Sequence, residues 1–272
     1  MVNFIFLLYS FRKILRLPIN NRAKQKLVKS HFALSISSLV KPPQPFNVVG
    51  YQVNFSNLKT LKYLFYEIFV GNEYFFSETS QCPLIIDCGS NIGMSILFFN
   101  YYYPGCRIIA FEPDENTYSI LEKNIKQNKL ENVELYKQAV TSKDGVVNFY
   151  YDQEKPGSLT MSTHELRMPK QRKEVKSTKL SHFINENVRF LKLDVEGSET
   201  EVIEELKKAD KLRYIDQMVI EYHHHIYKNE DSLSRILLTL EDSNFGYQFD
   251  CQCSRPWKKN KYQDVLIYAY RK

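Results

Sequence analysis

The sequence predicts an α/β fold, with a mostly parallel sheet covered by helices on both faces, an antiparallel C-terminal hairpin and an N-terminal helical extension. Two observations carry the sheet. Short apolar runs alternate with segments of helical periodicity, and several of those runs finish in an acid. A third observation sets the extension apart. Residues 1–46 hold eight Lys or Arg (Arg12, Lys13, Arg16, Arg22, Lys24, Lys26, Lys29, Lys41) and no Asp or Glu. Of the 37 basic residues in the chain, 29 then face 31 acidic ones beyond residue 46. The net charge of +6 therefore belongs to the extension.

The extension opens MVNFIFLLYSFRKILRL. Phe4–Tyr9 is too short to span a bilayer, no basic residue precedes it and no small-residue cleavage site follows, which disfavours a signal peptide. An amphipathic helix packed on its own domain is expected; the same residues would serve a helix lying on a membrane or against an acidic partner. Three prolines, Pro42, Pro43 and Pro45, then mark a linker. The boundary predicted is 1–46 for the arm and 47–272 for the main domain. Hydrophobic residues at 43% and charged ones at 25% describe a globular chain with ample core material. The five cysteines, Cys82, Cys88, Cys106, Cys251 and Cys253, show no CxxC spacing. That argues against a disulfide framework or zinc site and for a reducing, cytoplasmic setting, peripheral at a membrane if the arm docks there. Cys251 and Cys253 are expected to pack in the interior.

PLIIDCG (83–89) reads as a buried strand, followed by a helix from about Gly93. RIIAFEP (107–113) is a second strand, with Asp114 as N-cap for a helix carrying Tyr118, Leu121 and Ile125. Residues 133–140 form a third strand, and 146–151 its antiparallel partner across the Lys143-Asp144-Gly145 turn. Residues 152–176 are basic and lack periodicity, so a functional loop is expected, covering an acceptor pocket. VRFLKLDV (188–195) is a fourth strand, after which Ser198 and Glu201 have capping-box spacing. Residues 214–222 form a fifth strand, 232–243 a helix, and YQFDCQ with DVLIYAYRK the closing hairpin.

Ligands of an open parallel sheet bind beyond the carboxyl ends of its strands. Those ends carry Asp87, Glu112, Asp194 with Glu196, and Glu221 with His223. One acid could simply cap a helix, but capping does not explain the set. In Asp87-Cys88-Gly89-Ser90-Asn91-Ile92-Gly93 the spacing is G-x-x-x-G, and Met94 stands where a pyrophosphate cradle would have its third glycine. Asp87 repels a pyrophosphate and favours an ammonium or sulfonium, and Glu112 is placed for ribose hydroxyls. A cationic nucleoside fits better than a dinucleotide; S-adenosylmethionine is one.

Together LIIDCGSNIG, IIAFEPD, ENVELYKQAV, FLKLDVEGSETEVI and VIEYH resemble the FkbM-type methyltransferases, over about residues 50–272. The resemblance implies a Rossmann-like, seven-stranded class I methyltransferase domain of strand order 3-2-1-4-5-7-6. It places Asp87, Gly89 and Gly93 at the methionine end of the cofactor, with Asn91 and Pro113 in the same loops. Glu112 falls at the ribose, Ala139 near the adenine, and Asp194, Glu196 and Glu221 on the methyl-transfer side. Thr178–Phe183 departs from the T-L-D turn common before the fourth strand.

The fourth strand ends in D-V-E-G, without the N-P-P-Y or D-P-P-Y found in many N-methyltransferases. Carboxylates there suit orientation of hydroxyls, or a divalent metal on Asp194 and Glu221. The expected function is O-methylation of a sugar, glycan or related natural product. Methylation of a peptide carboxylate or amide, and cofactor binding without catalysis, are the other readings. Arg167, Lys170, Arg172 and Lys173 would suit nucleic acid, but a solvated loop is the preferred reading. In EYHHH, alternation puts Glu221, His223 and His225 on one face. His223 is the candidate base, His224 a bystander and His225 loop surface.

Overall fold

The computed structural model describes residues 4–37, 42–152, 161–165, 171–224, 226, 232–251 and 262–272. Two helices come first, α1 (Phe4–Arg16) and α2 (Asn21–Ile36). Ser10, Ile14 and Leu17 recur at helical spacing and are buried, as are Leu27, His31 and Leu34 on α2. Asn20 caps α2 by accepting the Ala23 N–H at 2.9 Å. Ile14, Leu17, Leu27 and Leu34 share one hydrophobic cluster with Phe65, Phe69 and Phe98. The proline break thus divides the sequence, while its two sides share a core.

A two-stranded ribbon follows, β1 (Phe46–Val48) and β2 (Tyr51–Val53), then α3 (Leu58–Leu64), which runs on as a π-helical turn over Phe65–Gly71. Asn72, at φ 62°, ends it in the left-handed region that asparagine tolerates. The alternating part comprises β3 (Leu84–Cys88), α4 (Met94–Tyr102), β4 (Arg107–Phe111), α5 (Glu115–Gln127) and β5 (Val133–Tyr136). Next come β6 (Ala139–Thr141), β7 (Gly145–Tyr151), β8 (Gln171–Lys179), β9 (Val188–Leu193) and α6 (Glu199–Lys208). The chain closes with β10 (Ile215–His224), α7 (Leu233–Asp242), β11 (Phe245–Cys251) and β12 (Gln263–Arg271).

The main sheet has the order β11-β12-β10-β9-β3-β4-β5. Only β12 runs against its neighbours, β10 and β11. Counted from β3, this is the expected order 3-2-1-4-5-7-6. All five residues of β3 are buried, as a strand covered on both faces requires. Asp114 caps α5 as expected, accepting the Thr117 N–H at 2.8 Å.

Five local expectations are corrected. The run 133–140 is two strands: β5 stays in the main sheet, and β6 turns away to pair with β8. β7 is antiparallel to β8, not to β6, so β8 lies between them in a separate three-stranded sheet. The last part of the expected loop 152–176, from Gln171, is strand. Ser198 makes no side-chain cap on α6; its hydroxyl meets Thr163 Oγ1 at 2.9 Å and His164 Nε2 at 3.3 Å instead. Cys251 is exposed rather than packed. Cys253, Gly157–Leu159, Arg167, Lys170 and His225 lie outside the described residues.

Candidate active site

The site begins with a charge inside the sheet. Lys192, near the end of β9, is 3% exposed. A buried ammonium needs partners close by. Its Nζ donates to the Gly89 carbonyl at 2.8 Å and lies 3.1 Å from Asp194 and 3.4 Å from Asp87. Burial opposes its charge, but Asp194 and Asp87 outweigh it and hold Lys192 protonated. Asp87 is fully buried and also accepts the Ser95 hydroxyl at 2.5 Å. It lies beneath the cavity floor, one layer deeper than the sequence suggested.

The β3–α4 loop is folded tightly over this pair. Gly89 has φ +84°, and a Cβ there would stand 1.9 Å from the Asp194 carbonyl oxygen. No other residue fits that approach. The loop is pinned to the end of β4, where Glu112 accepts the Asn91 N–H at 3.0 Å and the Asp114 N–H at 2.8 Å. Each carboxylate oxygen keeps a second lone pair for a ligand hydroxyl. Burial pushes the Glu112 carboxyl up to about 8, against these two donors.

Above the loop lies a cavity of about 350 Å³, within the range of small-molecule sites. Gly89, Asn91, Glu112, Pro113, Ala139 and Asp194 line it; Asp87 and Gly93 do not. Phe111, Gln138, Ala139 and Val140 form an apolar and amide side suited to a base, next to Glu112. These residues fit an adenosine whose cationic end lies toward Asp194.

The opposite side carries Asp194, Glu196 and Glu221. His223 stands behind them, 4% exposed and outside the lining. Its Nδ1 is 2.8 Å from Glu199 and its Nε2 is 3.2 Å from Glu196. Burial would lower its proton affinity; Glu196 and Glu199 overcome that and raise it well above the usual histidine value. As an imidazolium it donates from both nitrogens. Glu199 also accepts the Gly197 N–H at 2.9 Å, so it straps down the loop holding Glu196, whose φ is +55°. Burial and the Asp194 charge raise Glu221 well above the carboxylate range. His224 lies on the other face of β10 from His223, with its ring 5.6 Å from that of Tyr222.

A third wall has no local signal in the sequence. Tyr63 and Glu67, from α3 and the π-helical turn, line the cavity with Tyr74, Tyr262 and Asp264. The Tyr63 hydroxyl is hydrogen-bonded to Glu67, whose carboxyl burial pushes up to about 8. Lys192 was missed, though its signal was in view as the lone charge inside the apolar run FLKL.

One ligand atom each from Asp194, Glu196 and His223 lies within 4.8 Å of the others, as for Glu221, His223 and Asp264. A metal would need His223 neutral; Glu199 and Glu196 favour its charged form, and Lys192 pairs with one oxygen of Asp194, so both compete with a divalent ion at this place.

Residues 87–249 match the family model described as the methyltransferase FkbM domain. The chain is 26% identical over 182 residues to "Methyltransferase 1" of Beauveria bassiana (strain ARSEF 2860), covering 59% of this chain and 73% of that one. It is 28% identical over 174 residues to "Methyltransferase sdnD" of Sordaria araneosa, covering 52% and 67%. A crystal structure of methyltransferase FkbM from Methylobacillus flagellatus KT aligns at 14% identity and TM-score 0.49, over 98% of this chain. The chain spans 60% of the length of that protein.

Proposed function

Because this chain belongs to the FkbM family of S-adenosylmethionine-dependent methyltransferases, we propose that it methylates a hydroxyl group of a sugar, glycan or related natural product. The observation that carries this reading is the set of carboxyl groups around the acceptor side of the cavity, Asp194, Glu196 and Glu221. Such carboxyl groups accept hydrogen bonds from hydroxyls.

S-adenosylmethionine supplies an electrophilic methyl group on a cationic sulfur. Glu112 would hold the ribose hydroxyls, and the loop from Gly89 to Asn91 would hold the methionine end. Asp194 would place its negative charge beside the ligand's positive one. The hydroxyl must sit in line, about 3 Å from the methyl carbon, and must lose its proton during attack. Glu221 is the proton acceptor in this scheme. Beside a cationic ligand its ionised form is favoured, and its raised proton affinity makes it a better base than an ordinary carboxylate. His223 would act as a fixed cation that orients Glu196, rather than as the base, because an imidazolium has no lone pair to offer.

The test is turnover with methyl-labelled cofactor against a panel of neutral polyols, matched uronic acids and peptides, with and without EDTA. The expected product is a methyl ether, stable to hydroxylamine and insensitive to EDTA. A hydroxylamine-labile ester would establish carboxylate methylation instead, and cofactor binding with no transfer to any acceptor would favour a binding role.

A further inference from the structure

The outer face of the N-terminal helical pair is still unaccounted for. α1 buries Ser10, Ile14 and Leu17 against the core. Its opposite side exposes Leu8 at 40%, Tyr9 at 64% and Leu15 at 47%, interleaved with exposed Arg12 and Arg16. α2 repeats the pattern: Lys29, Phe32 and Ile36 follow at helical spacing, all exposed, with Phe32 and Ile36 at 44% and 57%. The ring of Phe32 lies 5.9 Å from that of Phe11 on α1, so the two exposed stripes adjoin. No acidic residue occurs anywhere in residues 1–46.

We propose that this face docks the protein on an anionic phospholipid bilayer. Apolar and aromatic side chains mixed with arginine and lysine are the composition of an interfacial helix, one that lies in the headgroup region. No described helix is long and apolar enough to cross a membrane, so the contact is peripheral. The charge is complementary to acidic headgroups, and each basic residue near such a surface contributes roughly fivefold to partitioning. A nucleic acid would use the same charges but would gain nothing from Leu8, Leu15 and Ile36. Folding does not explain the stripe, since the opposite faces of both helices already fill the core.

The buried side of the same helix pair, opposite the docking face, touches the turn that forms the cavity wall. His31 on α2 contacts the Tyr66 hydroxyl at 3.1 Å and the Leu7 carbonyl at 3.1 Å. Tyr66 belongs to the same π-helical turn as Glu67, which lines the cavity.

The experiment is co-sedimentation of the full chain with vesicles of phosphatidylcholine alone, or with 30% phosphatidylglycerol, at two salt concentrations. Binding is expected only to the anionic vesicles, weaker at high salt. Arg12→Glu with Arg16→Glu should reduce it more than tenfold, and Leu8→Ser with Leu15→Ser at least severalfold. All four residues are exposed, and unchanged circular dichroism and cofactor affinity would show that the variants fold. Three results would overturn the proposal: equal binding to neutral and anionic vesicles, no vesicle binding, or heparin binding that the arginine variant loses while the leucine variant keeps it. None of these readouts depends on the identity of the methyl acceptor.

Discussion

Replacing His223 by glutamine separates an orienting cation from a catalytic base. In the folded chain Glu199 and Glu196 hold the ring protonated, with Glu199 at 2.8 Å and itself 1% exposed. The proton affinity of His223 is raised above its unfolded value near 6.5. Its stabilising contribution is thus complete below about pH 6.5 and disappears as pH rises through the folded pKa. The loss per pH unit in that window is about 1.4 kcal/mol. Removing one partner of a buried pair costs about 3–5 kcal/mol, so His223→Gln should be destabilised by that order at pH 6. The gap to wild type should narrow as pH rises. Urea unfolding from pH 6 to 9 measures the gap, and NMR titration of the ring, assigned by its absence in the variant, measures the pKa directly. A ring that titrates at or below 6.5, with a gap independent of pH, would refute the argument and return His223 to candidacy as the base.

Glu112→Ala should weaken S-adenosylmethionine binding by roughly ten- to a hundredfold, from lost hydrogen bonds of about 1.5–3 kcal/mol each; calorimetry that finds unchanged affinity in a folded variant contradicts the ribose assignment. Glu221→Gln should slow methyl transfer by about 10²–10⁴ while cofactor affinity stays within a few fold, and a rate within a factor of ten of wild type would move proton acceptance elsewhere. Lys192→Met strands Asp87 and Asp194 and should cost about 3–5 kcal/mol in urea unfolding, more than any surface lysine substitution. Deleting residues 1–46 removes Ile14, Leu17, Leu27 and Leu34 from the core. At about 1.5–3 kcal/mol each that approaches the whole stability of a domain, so the truncated chain should lack a cooperative unfolding transition.

Legibility in the sequence followed burial. β3, β4 and β9 could be read directly because strands covered on both faces are continuous apolar runs, and the rim acids followed from where those runs stop. β8 could not. Its sequence, QRKEVKSTK, is mostly charged because it belongs to a small sheet with one wet face, and only Val175, Ser177 and Thr178 are buried. The capping box at Ser198 had the right spacing, but Glu199 satisfied the loop N–H groups and left the serine to Thr163 and His164. Tyr63, Glu67 and Tyr74 come to the site from before the first sheet strand, and no local pattern announces a contact of that kind. Asp87 was readable as an acid at a strand end, but its depth depends on Lys192, which only the three-dimensional register brings opposite.

The π-helical turn has a consequence for how this site can be altered. An α-helix advances about 100° per residue, so a residue five places on points about 140° away from the first. A π turn pairs residues five apart and keeps them nearly aligned. Tyr63 and Leu64, at the end of α3, and Glu67 and Ile68, in the π turn, all face the cavity, so the wall crosses the junction between the two geometries. The acceptor wall therefore depends on chain length as much as on residue identity. Deleting one residue between 65 and 71 should relax the turn to α geometry and rotate part of the wall out of the cavity. Acceptor preference should then change while cofactor affinity, which the proposed reading assigns to Gly89, Asn91 and Glu112, stays as it was. A length change of one residue is thus a route to a new acceptor that leaves the cofactor half untouched.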